Sequence, residues 1–141
     1  MPSENSLKRF LDAQANNYHD ALAEIKSGRK RTHWMWYVFP QIQGLGLSET
    51  ARFYAVKDRR EAEEYAQHPI LGQRLQDIST ALLQLKSSDA HAIFGSPDDM
   101  KLKSSMTLFA ALPGASPVFQ QVLDKFYGGA QDEKTLRILG A

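Results

Sequence analysis

The 141-residue sequence contains no cysteine, which excludes disulfides, thiolate metal sites and cysteine nucleophiles together. It also lacks any run approaching the ~20 consecutive apolar residues a membrane-spanning helix needs, so no membrane partner is expected. The opening residues, MPSENSLKRF, have no apolar block of the secretory type, and a cytoplasmic location is expected. An excess of one charge is missing too: 17 Lys and Arg stand against 16 Asp and Glu, a formal net charge of +1. No whole-molecule field draws such a chain to nucleic acid or anionic lipid, so any attraction must be local. Tryptophan is scarce. The only two, Trp34 and Trp36, sit almost side by side, directly after Arg29, Lys30, Arg31 and His33.

Apolar residues make up 43% of the chain, enough for one domain with a real core, spanning residues 1–141. Leu7, Phe10, Leu11, Gln14, Tyr18, Ala21, Leu22 and Ile25 recur at threes and fours, which predicts a helix from about Ser6 to Ser27 stopped by Gly28. In THWMWYVF, Thr32 is placed to cap a short helix whose buried face holds Trp34, Tyr37 and Val38; Pro40 ends it. Ser48 is the expected cap of a further helix, and DRREAEEYAQ, which begins with Asp58, reads as a mostly solvated helix touching the core through Ala62 and Tyr65. The clearest pattern is Leu71, Leu75, Ile78, Leu82 and Leu85, with Pro69 in the first turn. A short helix ending at Gly95 leads to SPDDMKLKSSMTLFAAL, where Ser96 is the expected cap, Pro97 the first helical residue, and Leu102, Met106 and Phe109 the apolar face. Val118, Val122 and Phe126 mark a helix stopped at Gly128 and Gly129, and DEKTLRILGA a last one. An extended strand competes only at THWMWYVF, where aromatic and branched residues crowd, and helix is preferred because no second strand offers itself for pairing. The expected fold is all-α, a compact single-domain, bundle-like packing of many helices.

The segments GRKRTHWMWYVFPQ, HPILGQRL and IFGSPDDMKLKSSMTLF, with the spacing between them, resemble a bacterial domain-of-unknown-function family whose members are sometimes labelled "calpastatin". The resemblance runs from about Phe10 to Tyr127. It implies a compact, mainly helical single domain and brings no activity and no catalytic residues with it, so the candidate sites follow from chemistry alone.

Arg29, Lys30, Arg31 and His33 could hold a phosphate while Trp34 or Trp36 stacks on a base or a nicotinamide-like ring; such stacking contributes ~1–3 kcal/mol per base. The plainer reading puts the cations at a helix C-terminus, where the dipole favours them, and the tryptophans in the core. At ~100° per residue the two tryptophans cannot share one helix face, so one of them is expected near a surface or groove. On the later helix Asp98, Lys101 and Ser105 are three and four apart, with Ser104 alongside. A lysine beside a serine is the logic of Ser–Lys hydrolases, but an ion pair on a solvated stripe explains the spacing more simply. No histidine pair has metal-ligand spacing, so neither a metal nor a cofactor is expected, and His68 reads as a helix cap. GLGLSE, from Gly44 to Glu49, lacks the third glycine and the βαβ setting of a dinucleotide fingerprint.

Three functions follow. The first is a small-molecule binder or enzyme for a phosphate-bearing, nucleotide-like ligand, its pocket drawn from Gln14, Arg29, Lys30, His33, Trp36, Gln41, Lys101, Ser104 and Ser105. The second is a protein-interaction or regulatory module centred on an exposed aromatic patch at Trp36 or Phe39. The third, single-stranded nucleic-acid binding, is opposed by the net charge of +1 and by Glu61, Glu63 and Glu64.

Overall fold

A computed structural model describes residues 2–140, with side chains from residue 7 onward. Among them are nine helices and no strand: α1 (Pro2–Lys26), α2 (Met35–Val38), α3 (Glu49–Tyr54), α4 (Arg59–Gln67), α5 (Leu71–Leu83), α6 (Ala90–Phe94), α7 (Asp98–Ala110), α8 (Pro117–Tyr127) and α9 (Glu133–Leu139). The only extended pairing described is a single parallel bridge between Ile42 and Val56.

The apolar period of α1 lays Leu7, Phe10, Tyr18, Ala21 and Ile25 against α5 and α4, with Leu11 and Leu22 half-buried at the flank. Gln14 lies in the same stripe, 2% exposed. Its amide donates to the Tyr37 carbonyl at 2.7 Å and the Tyr65 hydroxyl at 3.0 Å, which removes the cost of burying it. Helices α5, α7 and α8 form the other half of the core, with Leu71, Leu75, Ile78 and Leu82 of α5 buried as expected.

Helix α7 departs from its expected amphipathic form. Besides Leu102, Met106 and Phe109, its Ser104, Ser105, Thr107 and Leu108 are buried. Short hydroxyls make this possible, because they return hydrogen bonds to their own helix: Ser104 Oγ donates to the Met100 carbonyl at 3.2 Å, and Thr107 Oγ1 to that of Lys103 at 2.8 Å. The Ser104–Ser105 face is therefore packed, and only the first turn of the expected solvated stripe reaches water.

Two of the expected caps shift, and Pro69 falls outside the helix whose first turn it was expected to occupy. Thr32 does not cap α2; its hydroxyl donates to Glu24 Oε2 at 2.6 Å, so the nearby carboxylate captures it. Ser96 stands one residue too early, because Pro97 takes the cap position of α7 with no side-chain bond and the helix starts at Asp98. Pro69 lies in the turn before α5, where His68 Nδ1 accepts from the amides of Ile70 (3.1 Å) and Leu71 (3.2 Å). Ser48 caps α3 as expected, and Asp58 caps α4.

The carboxyl end of α5 is closed from outside. Lys125 of α8 donates to the carbonyls of Leu82 (3.1 Å), Leu83 (3.0 Å) and Leu85. A cation on the carbonyls at this end adds to their hydrogen bonding and complements the helix dipole. Lys125→Met, which keeps the packing stem, is expected to lower stability by about 2 kcal/mol, the order found for hydrogen bonds to charged groups. Chemical denaturation reads this directly, and an unchanged midpoint would show that the ammonium adds nothing net.

Candidate functional site

The segment between α1 and α2 separates its neighbouring cations. Arg29, Arg31 and His33 are exposed. Lys30 turns inward, its side chain 8% exposed, and its Nζ reaches Asp98 Oδ2 at 2.9 Å and the Thr32 carbonyl at 2.6 Å while lying 5.1 Å from the Trp34 ring centre. Its backbone amide donates to the Ile93 carbonyl at 2.7 Å, which ties this segment to α6. Lys101, one turn into α7, approaches the same carboxylate at 3.6 Å and stands 5.0 Å from the ring centre of Trp36. Two ammonium groups thus share one carboxylate, each beside one of the two tryptophans.

The tryptophans part as the ~100° step requires. Trp34 is 1% exposed and packs on Phe39 and Phe94. Its indole N–H donates to Glu24 Oε1 at 2.9 Å. That carboxylate also accepts from the amides of Arg31 (2.7 Å) and Thr32 (3.0 Å) and from the Thr32 hydroxyl. Burial pushes the Glu24 carboxyl up, but the bonds from Thr32, Arg31 and Trp34 outweigh it and hold the group at about 2.

Trp36 is half-buried and forms one wall of an open cleft of about 570 Å³ between α2 and α3. The other walls are Tyr37, Glu49, Thr50, Phe53 and Tyr54. The α3 members sit at i, i+1, i+4 and i+5, so one face of that short helix supplies them all. Tyr54 packs between Tyr37 (ring centres 5.2 Å apart) and Phe53 (4.8 Å). Burial, and then Tyr54, pushes the Tyr37 phenol up from its ordinary value. Arg9 of α1 fixes the end of α3 by donating to the carbonyls of Phe53 at 2.8 Å and Ala55 at 2.9 Å.

Of the residues singled out from the sequence, the structure brings together Lys30, Trp36 and Lys101 around Asp98. Arg29 and His33 lie on the exposed loop beside them, and Gln41 is half-buried after α2. Gln14 is occupied inside the core, Ser104 is bonded to its own helix, and Ser105 is fully buried with its hydroxyl unpartnered among the described residues. No hydrogen bond joins Lys101 to Ser105, so the described residues contain no activated Ser–Lys pair. No group of three or more His, Asp or Glu among them is placed to hold a metal ion.

Sequence reasoning missed Glu24, Glu49, Phe53 and Tyr54. A signal existed for the first: an acidic residue in the last turn of a helix opposes the dipole and marks another duty. For the α3 face it was the spacing of Glu49, Thr50, Phe53 and Tyr54 in a helix too short to show a period.

The family model described as "Protein of unknown function (DUF1810)" matches residues 4–139. The chain belongs to this family. Among solved structures, a DUF1810 chain such as this one is similar to the conserved hypothetical protein Rv1873 from Mycobacterium tuberculosis, with 46% identity over 96% of each chain and a TM-score of 0.93. Among curated proteins none matches. These findings agree with the resemblance read from the sequence and with the all-α fold, and they assign no specific function. No described helix is long and apolar enough to cross a membrane.

Proposed function

We propose that this DUF1810 domain is a cytoplasmic small-molecule-binding protein whose site is the cleft at Trp36, and that its ligand is nucleotide-like, with a flat ring and a phosphate. The carrying observation is the position of Trp36, which is both a wall of the aromatic cleft and the partner of Lys101. The cleft is wide and open to solvent, so its ligand is held by stacking on the aromatic wall and not by enclosure. The ring stacks among Trp36 and Phe53, and the phosphate reaches the Lys101 side, where two ammonium groups face one carboxylate and exposed Arg29 and Arg31 add positive charge. A chain without cysteine needs no oxidising compartment, which fits the cytoplasm.

Nucleotides, ADP-ribose-like compounds and sugar phosphates are the probes. A ligand at 100 times its Kd adds ~2.7 kcal/mol, a rise in Tm of roughly 5–10 °C for a domain of this size. The shift is expected to disappear in Lys101→Ala and in Trp36→Ala. A flat response to all three classes from a folded sample rejects the proposal. A protein-interaction surface is the second reading, favoured by Leu47 and Phe53, which stand 78% and 60% exposed on one short segment.

A further inference from the structure

We infer that the part of the ligand held between α2 and α3 is an organic cation: a quaternary ammonium or an N-alkylated aromatic ring such as a pyridinium. The inference rests on the preceding reading that the Trp36 cleft is the ligand site, and it assigns the chemistry of the group inside.

The walls decide the sign of charge the cleft accepts. Four of six are aromatic, one is the carboxylate of Glu49, one is the neutral Thr50, and none is basic. Aromatic faces carry negative charge in their quadrupole and attract ammonium groups, most effectively where several rings converge. The rings here gather at one opening, Tyr54 packing on Tyr37 at 55° and on Phe53 at 83° while all three line the cleft with Trp36. Trp36 already takes a cation in this way, because the Lys101 ammonium lies 5.0 Å from its ring centre without being a wall of the cleft.

Glu49 supplies the counter-charge. It is exposed, and no ion pair or hydrogen bond of its side chain is found among the described residues, although Arg52 is only three positions on. Ser48, capping α3 by accepting from the Ala51 amide at 3.1 Å, holds the first turn that places Glu49 and Thr50 at the lip. An anionic group in the same place would meet a carboxylate and aromatic walls, with no basic side chain among them to offset the repulsion. A phosphate on the ligand therefore lies outside the cleft, toward Lys101, and the two ends of the molecule are read by opposite sides of Trp36's surroundings.

Choline and 1-methylnicotinamide, methylated on the ring nitrogen, are the cationic probes; 3,3-dimethyl-1-butanol and nicotinamide are their neutral counterparts of nearly the same shape. Titrations of the whole protein, followed by amide and indole NMR shifts, should show each cation binding at least tenfold more tightly than its neutral counterpart. The shifts should centre on Trp36, Phe53 and Tyr54. Glu49→Gln, exposed and isosteric, should weaken the cations at least fivefold and leave the neutral compounds unchanged; Phe53→Ala should weaken the cations similarly. Equal binding of cation and neutral counterpart, no binding of either, or indifference to Glu49→Gln overturns the inference. If the cations fail while nucleotides still raise Tm in a Lys101-dependent way, the cation assignment falls and the preceding proposal stands. If the cations bind as stated and every phosphate compound is inert, the cation site stands and the nucleotide class falls.

Discussion

Gly72→Ala is expected to destabilise the fold by about 3 kcal/mol or more, as forced overpacking of a buried site does. Helix propensity alone argues for the opposite sign, since alanine is favoured over glycine inside a helix by up to ~1 kcal/mol. Packing decides. A Cβ on Gly72 would stand 2.1 Å from the Ala66 carbonyl oxygen, 2.8 Å from its carbon and 3.3 Å from the Tyr65 oxygen. These are backbone atoms of α4, so no side chain can swing aside, and the turn through His68 and Pro69 would have to open. Opening it breaks the amide-to-carbonyl bond from Gly72 to His68 (2.9 Å) and the His68 cap on α5. A fall in Tm of roughly 10 °C is the expected reading. A variant as stable as the parent would show that α4 and α5 can separate without cost.

Glu24→Gln is expected to cost about 2 kcal/mol at pH 7, because charge-assisted hydrogen bonds become ordinary ones at a site that closes the α1–α2 junction. The pH dependence separates this from loss of shape. The folded-state carboxyl is held at about 2, against 4.5 for the unconstrained group, so its contribution is fully present above pH 4.5 and is lost as the pH falls toward 2. Parent and variant should therefore differ most at neutral pH and converge as the solution is acidified through that window. Urea unfolding at pH 7, 4.5 and 3 measures the convergence. A difference that stays constant would assign the loss to the altered side chain and not to its charge.

Long helices were legible because a 3.6-residue period needs length to show itself. α1 and α5 present several turns of it, and their buried faces in the structure follow the expected residues closely. α7 was legible as a helix but not as one buried well beyond its apolar face, since serine and threonine look solvated in a sequence and Ser104 and Thr107 satisfy themselves only through geometry. The cations after α1 illustrate a different limit. Arg29, Lys30 and Arg31 are equivalent by composition, and only the position of Asp98, some seventy residues on, turns Lys30 inward and leaves the arginines outside. The split of the tryptophans followed from local rotation alone. The cleft itself did not, because its other half comes from α3, a six-residue helix with no buried residue to give it a pattern.

The division between Trp34 and Trp36 gives the chain two separate optical reporters. Trp34, sealed in the core and bonded to Glu24, emits as a buried indole until the domain unfolds. Trp36, half-buried beside Lys101, changes its emission when its own surroundings change. A Trp34→Phe chain would carry a single fluorophore at the cleft, and a Trp36→Phe chain a single fluorophore in the core. Occupancy is then followed in the first variant and unfolding in the second, without attaching a dye.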